Sequence, residues 1–248
     1  MSYSGRIIVT GAEEDLAALA SRVRKTGYSP LMVPTIRIEQ RPLSPSSLVA
    51  LRDLAGYDYL FFTSTNAVKI FGRLLKGSRI KRPRPLQVVA VGRATADACA
   101  RIGFKAHFVP KEFNVREMID GLVTLTGKKI LFPRSAIAPQ ETIAALRAKG
   151  AIVKAIPLYT SVPIRTDPGS FNEMFTEKMR GIIFMSPSSV AGFAKNLRGA
   201  ILRKLVLATQ VLVIGPTTAA AAKEAGFKHI IIAKESTTDG IIETLRNL

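Results

Sequence analysis

The stretch "VVAVGRATADACARIGF" at residues 88–104 returns as "VLVIGPTTAAAAKEAGF" at residues 211–227, 123 positions later. Each copy passes from an apolar, β-type run through a glycine turn into an alanine-rich helical segment. The repetition extends further. Gly27 with Pro34 maps onto Gly150 with Pro157 at the same offset, and "FTSTNAV" (62–68) maps onto "FMSPSSV" (184–190) at an offset of 122. A chain of 248 residues that repeats itself at half its length is expected to build two similar domains.

Short β-rich apolar runs alternate with amphipathic segments, the pattern of parallel α/β architecture. Strands are expected near 6–10, 30–33, 58–63, 87–91, 105–109, 128–132, 151–156, 181–185, 210–214 and 228–232, with helices between them. After Asn114, Val115, Met118, Ile119, Leu122 and Val123 recur at helical spacing, with Asn114 as cap and Glu117 three residues on. The extended, proline-bearing stretches "VPTIRIEQRPL" and "IPLYTSVPI" hold equivalent places and read as connectors. Periodicity alone puts a domain cut near residue 125.

Composition narrows the class. A hydrophobic content of 47% supports a packed core. No run reaches the ~18 to 20 apolar residues of a membrane span, and the N-terminus has no secretory pattern, so a cytoplasmic location is expected. Cys99 is alone, which excludes an internal disulfide and points to core packing. His107 and His229 hold matching places and lack helix-spaced partners for a metal site. Net charge is +18, and no acid occurs from Tyr59 to Ala96, a surface suited to polyanions. The cluster "KGSRIKRPRP" keeps open a basic α/β protein that binds nucleic acid, or a non-catalytic two-domain anion binder. Recognition helices, zinc fingers and aromatic RNA-binding signatures are missing, so nucleic acid is not the expected partner.

In an open parallel sheet, ligands bind beyond the carboxyl ends of the strands. The turns there are "TSTNA" (63–67), "GRATA" (92–96), "PRSAIA" (133–138), "SPSSV" (186–190), "GPTTA" (215–219) and "STTDG" (236–240). Nearly all carry Ser or Thr. Hydroxyls cap helices there, while first-turn amides and the helix dipole favour an anion. Six such turns suit a large, multiply anionic ligand. No Walker, dinucleotide, zinc or nucleophile-elbow motif is present.

"FTSTNAV", "AVGRATADA", "LFPRSAIA", "PLYTS", "FMSPSSV", "IGPTTAAAA" and "ESTTDGIIETL", in this order and spacing, resemble the uroporphyrinogen-III synthase family over nearly the whole chain. The resemblance implies an α/β fold of two flavodoxin-like domains with parallel sheets, joined by a two-segment extended linker. Residues 1–37 plus 163–248 would form one domain and 43–158 the other, with linkers at about 38–42 and 159–162. It further implies a cofactor-independent, metal-free hydro-lyase acting as a monomer. Its substrate would be hydroxymethylbilane, a linear tetrapyrrole polycarboxylate, cyclised with loss of water and inversion of ring D. Tyr159 matches the family's candidate catalytic tyrosine. Ser64, Thr95, Ser186 and Thr218 match turn positions lining its cleft. Thr63, Asn66, Arg93, Arg134, Ser135, Ser188, Gly215, Pro216 and Thr217 from the same turns complete the expected binding set. Two residues depart from the family pattern: Gly11 stands where an arginine often follows the first strand, and Arg180 where an acid commonly precedes the "FTS"-type strand.

Overall fold

The computed structural model describes residues 4–76, 85–111, 115–122, 124–165, 179–196 and 206–248. The chain divides into two compact units, one made of residues 1–37 and 161–248 and the other of residues 38–160. The cut near residue 125 suggested by periodicity therefore falls inside the second unit.

The first unit holds β1 (Arg6–Ala12), α1 (Glu13–Arg24), the opening part of β2 (Ser29–Gln40), β7 (Met179–Phe184), α7 (Pro187–Asn196), β8 (Gln210–Val213), α8 (Pro216–Glu224), β9 (His229–Ile232) and α9 (Thr238–Arg246). Its strands run β2-β1-β7-β8-β9, with each neighbouring pair parallel. Counted along the chain, that is the order 2-1-3-4-5 of a doubly wound sheet. Both faces are covered, so the strands are nearly continuously apolar, as "RIIVTGA" of β1 shows. Ile8, Phe184 and Val213 pack with Phe193 and Phe227 on one face, while Ile7, Val9, Ile183 and Leu212 pack with Leu16, Ile241 and Leu245 on the other. α1 carries Glu13, Glu14 and Asp15 in its first turn and Arg22 and Arg24 in its last, in accord with the helix dipole. Arg22 also pairs with Asp239 of α9.

The second unit holds α2 (Pro45–Arg52), β3 (Tyr59–Phe62), α3 (Thr65–Leu75), β4 (Gln87–Ala90), α4 (Arg93–Arg101), α5 (Val115–Asp120), β5 (Lys129–Ser135), α6 (Glu141–Ala148) and most of β6 (Ile152–Pro163). Its strands run β4-β3-β5-β6, again with parallel pairs. The expected strand at 105–109 is reduced to a single bridge between Val89 and Phe108. The cause is local. The Val88 N–H donates to His107 Nδ1 at 2.9 Å, so the imidazole replaces a backbone acceptor and interrupts the ladder. His107 thus has a structural task, and His229 Nε2 likewise meets the Leu207 carbonyl at 3.1 Å. The helix expected over 115–123 ends at Asp120. Gly121 follows, and a Cβ there would lie 2.3 Å from Phe108 Cζ, so that ring packs where only glycine fits. Leu122 is buried beyond the helix; Asn114 and Val123 lie outside the described residues.

The repeat is visible in the elements themselves. β1 and β5 have equal lengths at an offset of 123 (Arg6 to Lys129), as do β2 and β6 (Ser29 to Ile152). Gly27 and Gly150 close the equivalent helices α1 and α6 with φ +87° and +82°, left-handed values that glycine adopts without strain. The units are nevertheless assembled across the repeats. The first takes β1 and β2 from the first copy and β7 to β9 from the second. The other takes β3 and β4 from the first copy and β5 and β6 from the second. The stretches read as connectors are strand up to Gln40 in β2 and across 159–162 in β6.

Cys99 of α4 is fully buried, and burial pushes its thiol up to about 12. The neutral thiol is expected to resist an aromatic disulfide reagent at pH 8 and to react only on unfolding. Rapid labelling of the native protein would contradict that packing.

Candidate functional site

A β-bulge builds the centre of the site in the second unit. Along β5 and β6 the register runs Arg134 opposite Pro157, then jumps to Ser135 opposite Tyr159. Pro157 has no N–H for the ladder, and skipping Leu158 re-aims the next side chain. The first unit makes the same jump at Pro34, where Gly11 faces Pro34 and Ala12 faces Ile36. The equivalent of Tyr159 there is Ile36, so only the second unit carries a phenol at this point.

Tyr159 is 5% exposed, and its Oη lies 2.8 Å from Ser64 Oγ. Ser64 is the N-cap of α3 and its Oγ accepts from the Ala67 N–H at 3.1 Å. The hydroxyl is thereby fixed by the helix it caps and in turn fixes the phenol. Burial raises the phenol above its ordinary pKa, and the Ser64 hydrogen bond opposes that shift. The group is a neutral proton donor at neutral pH. Ser135 stands beside it: its Oγ accepts weakly from the Ile137 N–H at 3.4 Å, and the Ala136 N–H donates to the Tyr159 carbonyl at 2.7 Å. Thr63 precedes Ser64 and Asn66 follows two residues on, and both are half-buried.

At the other glycine turns the hydroxyls do not cap, contrary to expectation. Gly92 caps α4 and Gly215 caps α8, both with extended backbone and no side-chain hydrogen bond. Thr95 and Thr218 lie in the first turns with their side chains packed inward, 5% and 1% exposed. An added Cβ at 215 would meet Ser236 Oγ at 2.7 Å, so a larger residue there would need that hydroxyl to turn away. The exposed residues of these two turns are Arg93, Pro216 and Thr217. Hydroxyl caps do occur at Ser186, whose Oγ accepts from the Ser189 N–H at 3.2 Å, and at Thr237, which accepts from the Gly240 N–H at 3.0 Å. The Ser186 N–H donates back to Ser189 Oγ at 3.2 Å, a reciprocal box, and Ser188 Oγ lies 3.0 Å from Ser186 Oγ. Ser189 escaped the sequence reading although the S-x-x-S spacing at 186–189 signals it.

Arg134 is placed differently from an exposed binding residue. It is 4% exposed, with its guanidinium 5.3 Å from the centroid of Phe132 and its Nη2 donating to the Pro139 carbonyl at 2.6 Å. No helix follows Ser135 directly; α6 starts at Glu141. Of the basic cluster, Arg79, Lys81, Arg82 and Arg84 lie outside the described residues. Among the described residues there is no group of three or more His, Cys, Asp or Glu side chains that could hold a metal, and no helix long and apolar enough to cross a membrane.

Hydroxyl-bearing and glycine turns at the carboxyl ends of parallel strands, with a buried phenol held by a helix-capping serine, mark an α/β protein of the kind that takes a small molecule at its strand ends. The family model described as uroporphyrinogen-III synthase HemD matches residues 17–243, and the chain belongs to that family. It is 27% identical over 248 residues to the porphyrin biosynthesis protein HemD of Ruminiclostridium josui, covering 98% of this chain but only 48% of that one, so the chain spans about half of that relative. It is 28% identical to the uroporphyrinogen-III synthase of Synechococcus elongatus, covering 95% of this chain and 92% of the other. Its fold is similar to the crystal structure of a mutant uroporphyrinogen III synthase from the extremely thermophilic bacterium Thermus thermophilus, with TM-score 0.67, 19% identity and 98% of each chain covered. The synthetase structure from Helicobacter pylori 26695 gives TM-score 0.62 at 21% identity, covering 96% of this chain and 97% of that one.

Proposed function

We propose that this chain cyclises hydroxymethylbilane to uroporphyrinogen III, releasing water from the hydroxymethyl group of ring A and inverting ring D before closure. The observation that carries the reading is the Tyr159–Ser64 pair, a neutral phenol held 2.8 Å from a helix-capping hydroxyl. The phenol donates its proton to the departing hydroxide, and the Ser64 O–H turns to donate to the phenolate so formed. First-turn amides of α4 and of the Ser64-capped α3, with Arg93, Ser135 and Asn66, hold carboxylates in the second unit, and the first turns of α8 and of the Ser186-capped α7, with Thr217, do so in the first. The remaining work is positioning: closure without guidance gives the uninverted isomer, so binding must select the conformer that inverts ring D. In this reading the architecture is two flavodoxin-like domains joined through 38–42 and 159–162, acting as a monomer without cofactor, metal or nucleic acid.

The test is to supply freshly generated hydroxymethylbilane to protein that has been chelated and dialysed, and to resolve the product isomers. Type III product at a rate unaffected by chelation is expected. Only the uninverted isomer, or a need for a restored metal or cofactor, would refute the proposal.

A further inference from the structure

Arg134 is a buried cation with too few partners. A guanidinium carries five N–H donors and no acceptor. Here Nη2 reaches the Pro139 carbonyl, while Nε and Nη1 are buried with no hydrogen-bond partner. The Phe132 ring face offers a cation–π contact, which compensates only part of the lost hydration. Burial pulls the guanidinium below its ordinary pKa, and the Glu141 charge works against that shift. A charge kept dry and underpaired in this way makes the seat unfavourable for the cation that occupies it.

The equivalent residue in the first unit, 123 positions earlier, is Gly11, whose φ of +149° is a backbone that side chains rarely adopt, so the cation at this register belongs to the second unit alone. Arg134 is also well placed to move. It is the penultimate residue of β5, next to the Ser135 that pairs with Tyr159, and one side-chain hydrogen bond to the loop carbonyl of Pro139 holds it in its seat.

We infer that Arg134 is a stored anion anchor that leaves its seat on Phe132 to pair with a carboxylate of the substrate. This rests on the proposed function, which supplies the polycarboxylate, and goes beyond it by giving Arg134 two positions. Pairing with a carboxylate engages the guanidinium in charge-assisted hydrogen bonds that its buried seat denies it, and this difference between the two positions draws it out.

The experiment compares wild type with Arg134→Met and Arg134→Lys, measuring Tm without substrate and the KM and kcat for hydroxymethylbilane. Arg134→Met removes a dry, underpaired charge and keeps the packing of its stem, so its Tm is expected to equal or exceed that of wild type. Its KM should rise about tenfold or more with kcat within about threefold, and Arg134→Lys should recover part of the loss. A Tm lowered by about 5 °C or more, or failure to fold, would show that the seated cation is a structural element and overturn the inference. So would a KM within about twofold of wild type. Wild-type protein that makes no type III isomer strikes the proposed function itself, whereas active wild type with an indifferent Arg134→Met strikes only the anchor.

Discussion

Tyr159→Phe is expected to lower kcat by about 10- to 1,000-fold, at or below the usual range for a lost general acid. KM and folding should change little, because the ring keeps its packing and only the Oη contact to Ser64 is lost. The loss is bounded because the pyrrole nitrogen already drives hydroxide from ring A, leaving the acid only part of the barrier. The pH dependence gives an independent check. Burial raises the phenol above its ordinary value near 10, so the donor stays protonated throughout the neutral range. Wild-type kcat should show no alkaline fall attributable to Tyr159 below about pH 10. The same shift bears on stability with a definite sign: the buried neutral phenol supports the fold below the unfolded-state pKa, and that support is lost as pH rises through the raised folded-state value. Rates within twofold of wild type for Tyr159→Phe would leave water or the substrate's own carboxylates as the proton source.

Thr217→Asp is expected to raise KM about 10- to 100-fold, roughly 1.4 to 2.7 kcal/mol of lost binding. Thr217 is exposed in the first turn of α8, where an acid suits the helix dipole and costs the fold little. A carboxylate there competes with the substrate's for the same positive helix end. Thr217→Asn, which adds bulk without charge, should keep KM within about threefold. Thr218 is the wrong place for this experiment, since at 1% exposure an aspartate would be buried and the protein would unfold for unrelated reasons. An unaltered KM in Thr217→Asp would take the α8 terminus out of the binding surface.

The strands were legible because apolar runs such as "RIIVTGA" and "YLFF" can be satisfied only between two covered faces. The failure at 105–109 came from one imidazole accepting a main-chain N–H, a contact that propensity does not encode. The strand-to-helix turns proposed as the binding surface could be located from their glycines and hydroxyls, but which hydroxyl caps and which packs inward could not. Ser64 and Thr95 look alike in sequence, yet one caps its helix and the other is buried behind a glycine cap. The bulge that places Tyr159 was marked by Pro157, although a proline tells only that the ladder must break and not which neighbour is skipped. The seat of Arg134 was not legible for a plainer reason: an arginine at the end of a strand is expected to reach solvent, and here it folds back over Phe132.

The exchange of elements between the repeats also sets a timetable on the ribosome. Residues 38–160 are contiguous, so the second unit can complete its sheet as soon as β6 emerges. β1 and β2 belong to a sheet whose next strand, β7, begins only at Met179. At about 5 to 20 residues per second, the first strands wait roughly 7 to 30 s after residue 37 for that partner. Ile7, Ile8 and Val9, all fully buried in the finished protein, spend that interval without the sheet that covers them. β1 and β2 thus stay uncovered for longer than any strand of the second unit, and slowing translation between β2 and β7 would lengthen that interval.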